Sequence, residues 1–136
     1  MTDYASITDI KQRKLAFLDD TANFYTSKNR AYNADVRICT YSATETSLGC
    51  AIGRHLFTDV CTALDPIGNI ETVATTENHL IPKWMQDMGI PFLQAMQEFH
   101  DDHWNGSYAC DSNWNVNGLT DVGRENYEKI KQEYYV

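Results

Sequence analysis

Apolar side chains recur at helical spacing near the start of the chain. Ile7, Ile10, Phe17, Leu18, Phe24 and Tyr25 fall on one face, with one polar interruption near Lys14. Ser6 and Asp9 give a capping-box pattern ahead of them, so the spacing predicts a long helix from Ser6 to Asn29. The opposite face carries Lys11, Arg13 and Lys28, the strongest basic cluster in the protein. After turn signals at Asn29 to Asn33 the period shortens to two. Val36 to Tyr41 is β-branched, aromatic and alternating, which predicts a strand. A polar run from Ser42 to Ser47 then leads into Leu48 to Ile52, a shorter strand whose Gly49 marks a bulge or a close backbone approach.

Helical spacing returns at Arg54 to Leu64, with Leu56, Phe57, Val60, Cys61 and Leu64 inward and Pro66 as the stop. Ile67 to Thr76 fits either a loop or a third short strand. Asn78 to Met88 predicts a helix with Pro82 in its first turn and Gly89 ending it. Pro91 opens another, in which Phe92, Met96, Phe99 and His103 share a face. Turn residues fill Asn105 to Gly118, and Thr120 caps a last helix lined by Gly123, Tyr127, Ile130 and Tyr134. No linker, repeat or low-complexity tract interrupts this order, so residues 1–136 read as one domain. The expected class is α+β, with about five helices packed on a small antiparallel β-hairpin.

Charge adds a gradient to this picture. The 136 residues carry 11 bases and 19 acids, a net charge of −8. Residues 1–68 hold seven bases and eight acids, whereas residues 69–136 hold four and eleven, so the halves carry −1 and −7. An excess of this kind repels a nucleic-acid backbone and argues against general polyanion binding. The acidic half suits either a basic partner surface or a solvated helical exterior. No run approaches the ~20 apolar residues of a membrane span, and the opening MTDYASITDI lacks the features of an export signal. A cytoplasmic location is expected.

Four groups of residues offer chemistry. Cys39, Cys50 and Cys61 are spaced eleven apart, without a zinc knuckle. They read as core thiols, with Cys39 and Cys50 able to face each other across the hairpin and Cys61 above them. His100-Asp101-Asp102-His103 sets two imidazoles at i and i+3, where one helix face could share a divalent metal or an oriented general base, or simply close the core stripe. Gly53, Arg54 and His55 stand where a strand hands over to a helix. Free amides beside an arginine hold a phosphate or carboxylate there, unless the glycines only form a turn and Arg54 pairs with an acid. Trp114 and Asn115 lie among side-chain amides in the turn-rich loop, which offers a ring to stack on and groups to hydrogen-bond, or a ring folded back on the core. No nucleotide loop, dinucleotide fingerprint or catalytic triad is present.

Two stretches carry a resemblance. Cys39-Thr40-Tyr41 followed by Gly49-Cys50-Ala51-Ile52-Gly53, and then Phe92-Leu93-Gln94-Ala95-Met96-Gln97-Glu98-Phe99-His100-Asp101, resemble the two ordered blocks of a family of small proteins encoded by bacteriophages and prophage-bearing bacteria. The resemblance implies a phage origin and life in the cytoplasm of an infected bacterium. It singles out Cys39, Tyr41, Cys50, Gly53, Gln97, His100 and Asp101, and it implies no mechanism. The expected role is a non-enzymatic binding protein acting on the host against its defences, by masking a host protein or by sequestering a small nucleotide signal. No cofactor is expected. The alternatives are a small metal-dependent hydrolase centred on His100, Asp101 and His103, and a structural component of the virion.

Overall fold

The computed structural model describes residues 3–26, 32–33, 38–39, 41, 49–101, 103–104, 107–108 and 113–134. Among them it is a mainly helical α+β structure, as the periodicity predicts. Helix α1 runs Ile10–Phe24, α2 Thr58–Leu64, α3 Ile70–Thr76, α4 Lys83–Gln86, α5 Ile90–Asp101 and α6 Asp121–Tyr134. The strands form three two-stranded antiparallel ladders: β1 (Tyr32–Asn33) with β2 (Ile38–Cys39), β3 (His103–Trp104) with β4 (Ser107–Tyr108), and β5 (Trp114–Asn115) with β6 (Gly118–Leu119).

Several boundaries move from their expected places, each for a local reason. Asp9, not Ser6, caps α1: its carboxylate accepts the Gln12 N–H at 3.1 Å. Ser6 instead ends a separate 3-10 turn, Tyr4–Ser6. The helix stops at Phe24, and Tyr25 is already extended. Lys28 lies outside the described residues. Arg13 is not on a solvated basic face at all. It is 5% exposed, with Nε donating to Ile7 O at 2.9 Å and Nη1 to Trp84 O at 2.8 Å.

The expected hairpin is also rearranged. β2 falls inside the predicted first strand, but its partner is β1, where turn signals had suggested no strand. Residues 49–50 are irregular and 51–52 form a turn instead. Gly49 adopts φ +85°, which an extended strand does not tolerate, and Arg54 N–H already folds back on Cys50 O at 3.1 Å. Gly53 is a contact glycine, because a Cβ there would run into the Tyr41 main chain. The predicted Arg54–Leu64 helix divides into a 3-10 turn, Gly53–His55, and α2. Phe57 sits between the two and is 83% exposed rather than inward.

Ile67 to Thr76, open between loop and strand, contains α3. Its residues favour strands locally, yet Asn69 caps a helix by accepting the Thr72 N–H at 2.9 Å. Ile70 and Val73 are fully buried one turn apart on a helix packed against α5. Burial of two such side chains, about 1.5–3 kcal/mol each, outweighs propensities of a few tenths of a kcal/mol per residue. Farther along, Pro82 is the residue before α4, and Leu80 ends a 3-10 turn, Asn78–Leu80. Phe92, Met96 and Phe99 of α5 lie in the core as expected, and Leu93 joins them.

Helix ends are closed by side chains from distant elements. The last carbonyls of a helix have no partner within it. Trp114 Nε1 donates to Ala22 O of α1 at 3.2 Å, Asn113 Nδ2 to Phe99 O of α5 at 2.9 Å, and Lys14 Nζ to Tyr134 O of α6 at 3.3 Å. Thr120 caps α6 as predicted, its Oγ1 accepting the Gly123 N–H at 3.0 Å.

Candidate functional site

The turn Gly53–His55 places two polar side chains along α1. The Arg54 guanidinium carbon lies 3.9 Å from the centre of the Phe24 ring and 5.9 Å from that of Tyr25. Its Nε is buried and has no hydrogen-bond partner. No ion pair to Arg54 forms among the described residues. His55 is enclosed by rings: Tyr4 at 5.0 Å, Phe17 at 4.7 Å and Trp84 at 6.4 Å between centroids. Its Nε2 is likewise buried without a partner. Burial and the neighbouring Arg54 charge push the imidazole down to about 3, against a weaker upward pull from Asp20. His55 is therefore neutral at physiological pH, and Arg54 is the sole cation of this turn.

The main chain here does not form the amide cradle that the sequence suggested. Arg54 N–H is bonded to Cys50 O, His55 N–H to Ile52 O at 3.1 Å and Leu56 N–H to Gly53 O at 3.0 Å. All three amides after Gly53 are consumed internally. What remains at this corner is the guanidinium, its aromatic platform, and the exposed ring of Phe57 close by in the chain.

Trp114 and Asn115 do not join it. Trp114 is fully buried and packs on Tyr25 and Phe99 at 5.7 and 4.8 Å, so no face of it is open to a ligand base. Asn115 is exposed and accepts the Asn117 N–H at 2.8 Å, which stabilises the turn between β5 and β6. The ring folded back on the core is the arrangement found.

Of the residues singled out by the two motif blocks, Tyr41, Cys50, Gly53, Gln97 and His100 are buried in the interior. Tyr41 N–H donates to Asp65 Oδ1 at 2.8 Å, and its hydroxyl donates to Gly68 O at 2.8 Å. Gln97 Nε2 donates to the same hydroxyl at 2.7 Å, and Gln97 Oε1 accepts the first amide of α3, Ile70 N–H, at 2.7 Å. One glutamine thus ties α5 to both the Tyr41 segment and the start of α3. Cys50 Sγ accepts the Gly53 N–H at 3.4 Å, and the Cys61 thiol donates to Gly53 O at 3.2 Å. Both cysteines are buried, and burial with Asp65 nearby pushes the Cys61 thiol up, away from a reactive thiolate. Cys39 lies on β2 opposite Tyr32, not across a hairpin from Cys50. Cys110 is outside the described residues.

The His100 to His103 segment does not share a helix face. Helix α5 ends at Asp101, and His103 begins β3. His100 is fully buried, edge-on to Tyr25 at 4.6 Å and 6.3 Å from Trp114. Asp102 lies outside the described residues. Among the described residues no group of three or more His, Cys, Asp or Glu side chains could hold a metal ion.

The sequence reading missed Phe24 and Tyr25 as a platform, since both looked like ordinary members of an apolar stripe. It also missed Phe57 as a surface ring. The signal available for Phe57 was its place between the Gly-Arg-His turn and Thr58, where a helix restarts. No protein-family model, curated protein or solved structure matches this chain. No described helix is long and apolar enough to cross a membrane.

Proposed function

We propose that this chain is a phage-encoded, non-enzymatic binding protein that acts on its bacterial host in the cytoplasm. It counters a defence system by masking a host protein or by sequestering a small nucleotide signal. The two motif blocks in order support the phage origin. The observation that carries the binding role is the state of Arg54: a half-buried arginine on an aromatic platform, with a buried Nε that has no hydrogen-bond partner among the described residues. Polar groups buried in a folded chain are nearly always paired, and an exception calls for an ordered water, stored strain or an incoming group to account for it. Phe57 supplies an exposed ring three residues on in sequence, of the kind that anchors interfaces. The acidic C-terminal half adds charge that speeds encounter with a basic partner.

The test is mass spectrometry of what co-purifies from bacteria producing wild-type protein and the Arg54→Met variant. A host protein or a nucleotide recovered with the wild type and depleted with the variant is the expected result. Equal recovery from both would remove Arg54 from the binding surface. Turnover of the recovered molecule by the purified protein would overturn the non-enzymatic reading.

A further inference from the structure

We infer that Asn117-Gly118 is a site of self-modification, at which the Asn117 carboxamide is lost through a cyclic imide and a carboxylate is left at the tip of the β5–β6 ladder. The only co-reactant is water. The main-chain nitrogen of Gly118 attacks Asn117 Cγ, an N–Cγ bond forms, the Cγ–Nδ2 bond breaks, and Nδ2 leaves as ammonia with the proton of the Gly118 amide. Water then opens the ring at either carbonyl. One opening gives aspartate, and the other gives isoaspartate, with the main chain rerouted through Cγ.

Three observations place the reaction here. Asn117 is exposed, so water reaches it and the new charge stays solvated. Gly118 has no Cβ to obstruct its nitrogen, and nothing lies within 4 Å of the position a Cβ would take. The pair sits at the turn of a two-residue ladder, with Asn115 opposite Gly118 and Trp114 opposite Leu119. Ring closure twists Gly118 away from its Asn115 partner, and a rung at an exposed loop tip opens at low cost. Neighbouring asparagines lack this combination. Asn113 is 2% exposed, with Nδ2 donating to Phe99 O at 2.9 Å and Oδ1 accepting from Asn126 Nδ2 at 2.7 Å, and Trp114 follows it. Asn115 is exposed, yet its Oδ1 holds the Asn117 N–H at 2.8 Å and the β-branched Val116 follows. Asn69 and Asn78, also exposed, precede Ile70 and His79. The same dipeptide recurs at Asn105-Gly106, outside the described residues. The product adds a negative charge to the acidic half of the chain, and isoaspartate lengthens the turn by one main-chain atom. It does so on the ladder that carries Trp114, the cap on Ala22 O of α1.

The test is a peptide map of the full-length protein after incubation at neutral and mildly alkaline pH, both folded and in urea. Chymotryptic cleavage after Trp104, Tyr108, Trp114 and Leu119 separates Asn105, Asn113 and the pair Asn115 and Asn117. Fragmentation of the peptides then locates the mass gain and distinguishes isoaspartate from aspartate. In the folded protein Asn117 should convert to a mixture of the two, at a rate within roughly tenfold of that in urea, which corresponds to a rung worth no more than about 1.4 kcal/mol. Asn115 should convert more slowly by roughly tenfold or more, and Asn113 should keep its amide while the protein is folded. Asn117→Gln, whose ring would need one more atom, should show no gain at this position. Asn117 that stays intact in the folded protein while converting in urea would overturn the proposal. Equal conversion of Asn115 and Asn117 would overturn it as well, and both readings come from the wild-type chain alone.

Discussion

Arg13 and Arg54 are both drawn into the protein beside α1, and they are treated in opposite ways. Arg13 is almost fully buried and spends its donors on two main-chain carbonyls, one at Ile7 and one at Trp84. It ties the chain before α1 to the short α4. Arg54 rests on Phe24 and leaves a buried Nε with no partner. A buried donor that is satisfied from within serves the fold, and one left unsatisfied costs stability unless a ligand completes it. The same contrast separates Gln97, paired at both ends, from the turn that holds Arg54 and His55.

The sharpest way to break this comparison is to remove each arginine. Arg13→Met strands two carbonyls and should cost about 3 kcal/mol of unfolding free energy in urea. A cost below about 1 kcal/mol would mean that those bonds do not hold the fold. Gln97→Met keeps the volume but deprives Ile70 N–H and the Tyr41 hydroxyl of their partner. It should cost about 2 kcal/mol, measured in the same way.

His55 sharpens the contrast through pH. Its folded value of about 3 lies below its unfolded value of 6.5. Above pH 6.5 it contributes no pH dependence. As pH falls from 6.5 towards 3, the unfolded chain takes up a proton that the folded one refuses, and stability is lost with acid. Between neutral pH and about pH 4.5, wild type should lose roughly 2 kcal/mol more than His55→Phe. Parallel losses in the two proteins would show that the imidazole is not held neutral by its aromatic surroundings. The smallest effect on stability belongs to Arg54→Met, below about 1 kcal/mol, because it gives up a cation–ring contact and no hydrogen bond.

Much of this arrangement could be read from the sequence, and the exceptions share a cause. Periodicity located the core faces of α1, α5 and α6, because their spacing alone determines which side chains meet. It failed at α3, where Thr and Val favour a strand while Asn69 caps a helix from next to it and Gln97 holds its first amide from a position distant in sequence. It failed again at residues 49–57, where Gly49 and Gly53 serve the close passage of Tyr41 rather than a strand or a phosphate. Trp114 and His100 were weighed as ligand groups because their residue types are versatile, yet both fill the core against Tyr25. Arg54 was legible as a cation beside a turn. Its lack of an acidic partner among the described residues was not, since pairing depends on where the carboxylates come to rest.

Thermal unfolding with and without the host protein or nucleotide that co-purifies with wild type tests the central claim most directly. Ligands that bind only the folded state raise its apparent stability. Wild type should be stabilised by the added partner, Gln97→Met should start lower and gain the same increment, and Arg54→Met should start near wild type and gain none. An equal increment in Arg54→Met, or none in wild type, would contradict the assignment of this arginine to an outside partner.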